Sequence, residues 1–401
     1  MGKYLHAILW RLLTWLKRLL LIVFCGIGKL LFSKERPLEL GNVKRILVIH
    51  GEHSSIGDAV LFSAMLHPLR RKFPRARIDV LIRHPAEEIL KNNPNVDELI
   101  PYSAEEGTNL VTQEFAPLKV AAELKRRKYD LVITSEHAFR FILLSYLIGA
   151  RNRVGYDAEG RGFLLTKKVD YPPYGNRDRL ELEYYLDLIR AIGIPVKPEK
   201  RWMNLYFGKK EKDAAEKFLR ENKIGKNDLI VGVHAGGGIW KKRWPLYKFA
   251  KFCDLMVKKH HAKIIAFGGK EDVALYGMMQ KMMRGKIAVA AGKMNVLETA
   301  ALLGKCKLVV ANDSAVSHIA ATTDARVLAL FGVDSPKRWA PFGNTYIMKH
   351  TRLTKCAVLC NYDYLYAIDR CFDDKAPYCM NLISVEEVVN KAEGLLKEGR
   401  K

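Results

Sequence analysis

Seven cysteines in 401 residues are too few for a fold stapled by disulfides. No long acidic, Pro-rich or Gln-rich tract points to a disordered scaffold. An uninterrupted membrane span is missing as well: the run Leu19 to Gly28 stops at Lys29, well short of the roughly 20 apolar residues a span requires. No small-residue cleavage site follows the basic beginning of the chain, so it does not read as a secretory signal. The three-glycine dinucleotide fingerprint and the P-loop are both lacking, which disfavours a nicotinamide-dependent epimerase, and no DxD-type carboxylate pair stands at the glycine-bearing loops. Acidic side chains are scarce, 43 against 67 Lys and Arg, for a net charge of +24. Zinc-finger spacing, an RRM-like aromatic signature and a basic recognition helix are missing, which leaves a basic nucleic-acid-binding protein only as an alternative. An anionic membrane surface and a phosphorylated substrate are the partners that better fit the excess.

What is present is enough apolar sequence, 49% of residues, for real cores, and enough length for two domains. The first 36 residues hold seven basic side chains and one acidic one. On a helix, Arg11, Thr14, Arg18, Cys25 and Lys29 form a narrow cationic stripe, with Leu9, Leu12, Leu13, Trp15, Leu16, Leu20, Phe24 and Ile27 on the wide remainder. That pattern suits a helix lying in a membrane interface, or one packed on the domain that follows. The expected division is 1–36 for this helix and linker, 37–200 and 201–380 for two α/β domains, and 381–401 for a last helix.

Short β-branched runs alternate with helical periodicity twice along the chain, implying βαβ units and two mostly parallel sheets. Sites in such sheets lie beyond the C-terminal ends of the strands, which singles out four loops. In the first, His50 to Asp58, Asp58 reads as an N-cap or as a general base for an acceptor hydroxyl. In the second, His234 to Pro245, Gly236 to Gly238 permit close backbone approach to an anion beside Lys241, Lys242 and Arg243. In the third, Glu271 is either a surface residue starting a helix or a partner for a ribose diol. In the fourth, Asn312 to His318, Ser314 and Ala315 would offer N–H groups at a helix start, with His318 one turn in. Phe331 to Gly343 closes over the same region. Cys356, Cys360, Cys371 and Cys379 are spaced C-x3-C-x10-C-x7-C, looser than a strong zinc pattern. Free thiols or a disulfide fit the spacing as well, and no metal or cofactor is required by these parts.

Four separated segments carry a family resemblance: ILVI with SSIGD, KRWP at Lys242 to Pro245, FGGKE, and NDSAVSHIAA followed by ALFGVDSPKRWAPFG. In this order they resemble the ADP-heptose:lipopolysaccharide heptosyltransferases, glycosyltransferase family 9, over most of residues 44–395. The resemblance implies a GT-B fold of two doubly wound Rossmann-like domains facing a cleft, with a return of the last helix, 381–401, onto the first domain. It implies inverting transfer from a nucleoside-diphosphate sugar to a lipid-linked saccharide at the cytoplasmic face of the bacterial inner membrane. Asp58 then matches the catalytic base, and Lys242 the lysine on the donor phosphate. Asp313, Ser314, Ala315 and His318 fall in the donor loop, and Glu271 near the donor ribose. Where the family commonly reads NDSG, this chain has Ala315, which adds a methyl and cannot freely take φ > 0. A GT-B transferase of another sugar stays as the alternative.

Overall fold

The computed structural model describes residues 26–28, 30, 35–51, 55–102, 116–172, 179–332, 334–349 and 378–398. Six strands of the first half form one sheet: β1 Arg45–His50, β2 Arg77–Arg83, β3 Glu98–Tyr102, β4 Leu131–Thr134, β5 Asn152–Asp157 and β6 Lys167–Asp170. Six of the second half form another: β7 Ile230–His234, β8 Lys263–Ala266, β9 Ile287–Val289, β10 Leu308–Asn312, β11 Arg326–Phe331 and β12 Thr345–Met348. The orders are β3-β2-β1-β4-β5-β6 and β12-β11-β10-β7-β8-β9, so the second sheet repeats the first. All strand pairs are parallel. This is the doubly wound order, which reverses direction between the first and fourth strands of each half.

The central strands read as continuous apolar runs because helices cover both faces of each sheet. In β1 the alternation divides the side chains between two cores: Ile46 and Val48 face one, Leu47 and Ile49 the other. The first of these cores is continuous with the second half, for it also contains Val309, Ala311 and Val327. The edge strands β6 and β12 were not expected from the sequence. Lys167–Asp170 is half-exposed and polar, and Thr345–Met348 is only partly buried, so neither carries the apolar run by which a central strand is recognised.

The helical stretch after β1 comes in three pieces: Ile56–Phe62, a tight turn at Ser63–Met65, and Leu66–Lys72. Pro68 has no N–H to continue a ladder, and it is tolerated in the first turn of the third piece, where that N–H has least to do.

The C-terminal helix Val385–Lys397 corrects an expectation. It does not return to the first domain but packs on the second. Val388, Val389, Ala392 and Leu395 share a core with Phe249, Phe252 and Met256 of the helix Leu246–His260. Lys251 and Lys259 of that helix face Glu386 and Glu393 at 3.4 and 3.2 Å. The Trp244 indole N–H fixes the approach by donating to the Ile383 carbonyl at 3.0 Å.

Of the amphipathic beginning, only residues 26–28 and 30 are described, and they are helical. Gly28 lies against Phe163, where an added Cβ would sit 2.5 Å from the ring. The rest of that segment lies outside the described residues. Among the described residues no helix is long and apolar enough to cross a membrane.

Candidate active site

The topological switch point of the second sheet lies between β7 and β10, and its loops are tied together by buried polar groups. Asn312, at the end of β10, donates from Nδ2 to the carbonyls of Ala235 and Gly236, both at 3.0 Å. Its Oδ1 accepts the Trp244 N–H at 2.9 Å. Arg243 donates from Nε to the Gly237 carbonyl at 2.9 Å. The glycine loop is therefore held from both sides rather than left flexible. Gly237 has φ +127°, a conformation that a side chain would strain.

A hydrogen-bonded row runs beneath this loop. Ser314 Oγ lies 2.8 Å from His234 Nδ1, and His234 Nε2 lies 3.3 Å from Asp272 Oδ2. An ionised carboxylate only accepts, so Nε2 carries a proton toward Asp272, and in the neutral ring Nδ1 accepts from the Ser314 hydroxyl. Burial works to raise the Asp272 pKa, but the His234 contact and the Gly269 N–H bring it below the ordinary carboxylate value. Gly236 and Gly268 make room for this carboxylate, since a Cβ on either would overlap it. Ser314 stands at the N-cap of the helix Ala315–Ala321, yet its side chain does not cap that helix; the hydroxyl turns to His234 instead. Ala315 takes ordinary helical backbone, so its methyl introduces no left-handed strain.

The Lys242 ammonium lies 2.9 Å from Asp313 Oδ2 and also contacts Asp334 Oδ2. Burial, together with the charge of Asp313, pushes the Asp334 carboxyl above its usual range, against the pull of Lys242. His318 is buried, and burial followed by the nearby Lys242 charge lowers its pKa to about 4. It is therefore a neutral imidazole near pH 7. Glu271 is exposed one residue before Asp272 and folds back over Gly269.

Across the cleft, Ser55 and not Asp58 caps the helix Ile56–Phe62: Ser55 Oγ accepts the Asp58 N–H at 3.4 Å. The capping role open to Asp58 is thus taken by its neighbour. The Asp58 carboxylate is buried and accepts the Tyr185 hydroxyl at 3.1 Å. Burial and the Asp58 charge hold the Tyr185 pKa far above its ordinary value, so this hydroxyl keeps its proton and donates. Glu181, one turn earlier on the same helix, accepts from Arg338 of the second domain at 2.6 Å and from Tyr171 at 3.1 Å. Glu181 and Tyr185 are four residues apart and share a face, so one helix serves both the Asp58 carboxylate and the domain contact.

Beside them, at the switch point of the first sheet, the His50 ring stacks on Phe62 at 4.2 Å, and its Nδ1 lies 3.0 Å from Ser135 Oγ. Glu136 Oε1 accepts the Gly51 N–H at 2.6 Å and so anchors the root of the loop that leads to Asp58. The two halves meet where Gly57 faces the second-domain helix. A Cβ there would lie 3.1 Å from His318 and 3.3 Å from the Ala315 Cα.

The structure therefore gathers Lys242, Asp313, Ser314, Ala315 and His318 on one side of the cleft and brings Asp58 to the other. Glu271 is exposed, beside Asp272. The sequence reading assigned nothing to His234, Asp272, Asp334, Tyr185 or Glu136. Of the four tail cysteines, Cys356, Cys360 and Cys371 lie outside the described residues, and Cys379 is buried beside Gly332. A buried carboxylate can remove a proton, and a cationic, glycine-lined loop can stabilise an anionic leaving group.

The chain is similar to known glycosyltransferases in sequence and in fold. The model of glycosyltransferase family 9 (heptosyltransferase) matches residues 118–359. Lipooligosaccharide heptosyltransferase 2 of Haemophilus ducreyi is 25% identical over 74% of this chain and 86% of its own length. Lipopolysaccharide heptosyltransferase 2 of Escherichia coli is 25% identical over 75% of this chain and 86% of its own. In fold, the chain resembles a family 9 glycosyl transferase of Veillonella parvula, with a TM-score of 0.74, 24% identity, and 89% of this chain and 98% of that one covered. It also resembles the ADP-heptose lipopolysaccharide heptosyltransferase II of E. coli, with a TM-score of 0.68, 21% identity, and 89% and 100% covered.

Proposed function

The chain belongs to glycosyltransferase family 9, and from that premise we propose that it transfers heptose from ADP-heptose to a lipopolysaccharide-core acceptor, with inversion and without a metal. The observation that carries this reading is the placement of Lys242 at the fastened Gly236–Gly238 loop, across the cleft from the buried Asp58–Tyr185 pair. In the proposed step, Asp58 takes the proton of an acceptor hydroxyl, and the freed oxygen attacks the anomeric carbon. The bond from that carbon to the diphosphate oxygen breaks on the opposite face, so configuration inverts. The departing ADP carries the negative charge, which Lys242 and the N–H groups at Ser314 and Ala315 stabilise. Lysine and backbone dipoles supply the electrostatic role a metal fills elsewhere, and Glu271 is the proposed ribose partner.

The first domain, residues 37–200, is proposed to bind the acceptor and residues 201–380 the donor. The basic, apolar beginning, residues 1–36, is proposed to hold the enzyme on the anionic cytoplasmic face of the inner membrane, which brings it to a lipid-linked acceptor.

A donor screen tests the reading. Purified protein is given heptose-deficient lipopolysaccharide and, in turn, ADP-, UDP- and GDP-sugars, with and without a chelator. Release of ADP from ADP-heptose alone, unchanged by chelation, is expected. Turnover of a different sugar nucleotide, or loss of activity on chelation, would contradict it.

A further inference from the structure

Lys242 is met by more negative charge than one ammonium balances. Asp313 Oδ2 is 2.9 Å from its Nζ and Asp334 Oδ2 is closer still. The three side chains are 15%, 8% and 11% exposed, so water does little to screen them. The two carboxylates come from different places, Asp313 from the end of β10 and Asp334 from the loop after β11. Their convergence on one ammonium is a product of the fold. With both ionised, the group carries a net charge of −1 at the loop proposed to receive a diphosphate. His318, whose imidazole feels the Lys242 charge, is neutral and adds no positive charge. The Asp334 carboxyl is already easier to protonate than an ordinary one, because it is buried and close to Asp313.

We propose that Asp334 is a positioning residue for Lys242, and that the Asp313–Asp334 pair takes up one proton when a nucleoside diphosphate binds. In the empty site the two carboxylates hold the ammonium at the loop mouth. Arriving phosphate oxygens claim the ammonium, and the pair is left as two like charges in a poorly hydrated place. One proton from solvent removes that repulsion and is shared between the two carboxyls. No bond to carbon changes, and the proton returns to solvent when the diphosphate leaves. The inference rests on the reading of Lys242 as the diphosphate ligand.

Titration calorimetry of ADP into the full-length protein, repeated in buffers of different ionisation enthalpy, counts the protons. Wild type is expected to take up more than Asp334→Asn. Its ADP affinity should also fall faster with rising pH, by up to about tenfold more per pH unit where the extra proton is fully linked. Asp334→Ser should repeat the result, with thermal melts establishing that each variant is folded. Equal uptake and equal pH slopes in wild type and a folded variant would overturn the inference. So would wild-type uptake no greater than free ADP's own phosphate accounts for across roughly pH 6 to 9. A Lys242→Ala variant that binds ADP as well as wild type overturns the diphosphate reading itself, and with it the basis of the proposal.

Discussion

Tyr185 helps to fix how Asp58 sits. Its hydroxyl is the 3.1 Å donor to a carboxylate that is otherwise buried, and the two residues are 127 positions apart in sequence. Tyr185→Phe keeps the ring and removes only the donor, so the fold should persist while turnover falls about tenfold, in line with about 1.5 kcal/mol for a hydrogen bond to a charged group. Steady-state kinetics beside a melting curve will show whether turnover falls without loss of stability. His318 gives a prediction in pH. Its pKa is about 4 in the folded protein against an ordinary 6.5, so as pH falls the unfolded chain binds the proton first. The stability this lends is fully present above about pH 6.5 and is lost as pH falls from there toward about 4. Thermal melts over that window should fall more steeply for wild type than for His318→Gln; matching slopes would contradict it. Local sequence marks Asp58 as a carboxylate after Gly57 and marks three cations after a glycine run, among which the family resemblance singles out Lys242. Tyr185, Asp334 and the His234–Asp272 pair were not legible, because each acquires its meaning from a partner delivered by the fold. The Ser314–His234 contact spans 80 positions and the His234–Asp272 contact 38.

At the level of elements, the site is built by strand ends. The loops after β7, β8 and β10 are bound to one another through Asn312, His234 and Asp272, which makes the proposed donor side one preorganised unit. Gly236→Ala should be felt well beyond its size, since the methyl would overlap the Asp272 carboxylate. A loss of about 1–3 kcal/mol is expected from such overpacking, and urea unfolding will measure it. An unchanged midpoint would mean that the carboxylate can move aside. The central strands were readable from sequence because burial on both faces gives unbroken apolar runs such as Ile46–Ile49 and Leu308–Ala311. The edge strands Lys167–Asp170 and Thr345–Met348 were not, because an edge needs no such run. The C-terminal helix shows a different limit. Its apolar period announced a packed face, but the periodicity does not say which domain receives it. Phe249, Phe252 and Met256 supply the answer only once folded.

Across the whole molecule, catalysis as proposed requires two domains to hold Asp58 and Lys242 on facing sides of one cleft. The Glu181–Arg338 pair ties the halves directly, with side-chain exposures of 7% and 11%. Arg338→Ala strands a buried carboxylate, and about 3 kcal/mol or more of stability should be lost with it. Glu181→Gln should cost less, and small-angle scattering will show whether either change loosens the two domains. The net charge of +24 has a distribution: part lies in the beginning proposed to meet the membrane and part around the loop proposed to receive the diphosphate. Deletion of residues 1–32 should weaken sedimentation with anionic liposomes while leaving ADP binding intact; unchanged sedimentation would remove the membrane role of that segment.

The central claim is that Asp58 deprotonates the acceptor while the second domain independently holds the donor. Single-turnover heptosyl transfer by Asp58→Asn, measured beside its affinity for ADP, tests this most directly. Turnover should fall at least about 100-fold, with ADP affinity close to that of wild type. Transfer at the wild-type rate by Asp58→Asn would contradict the account.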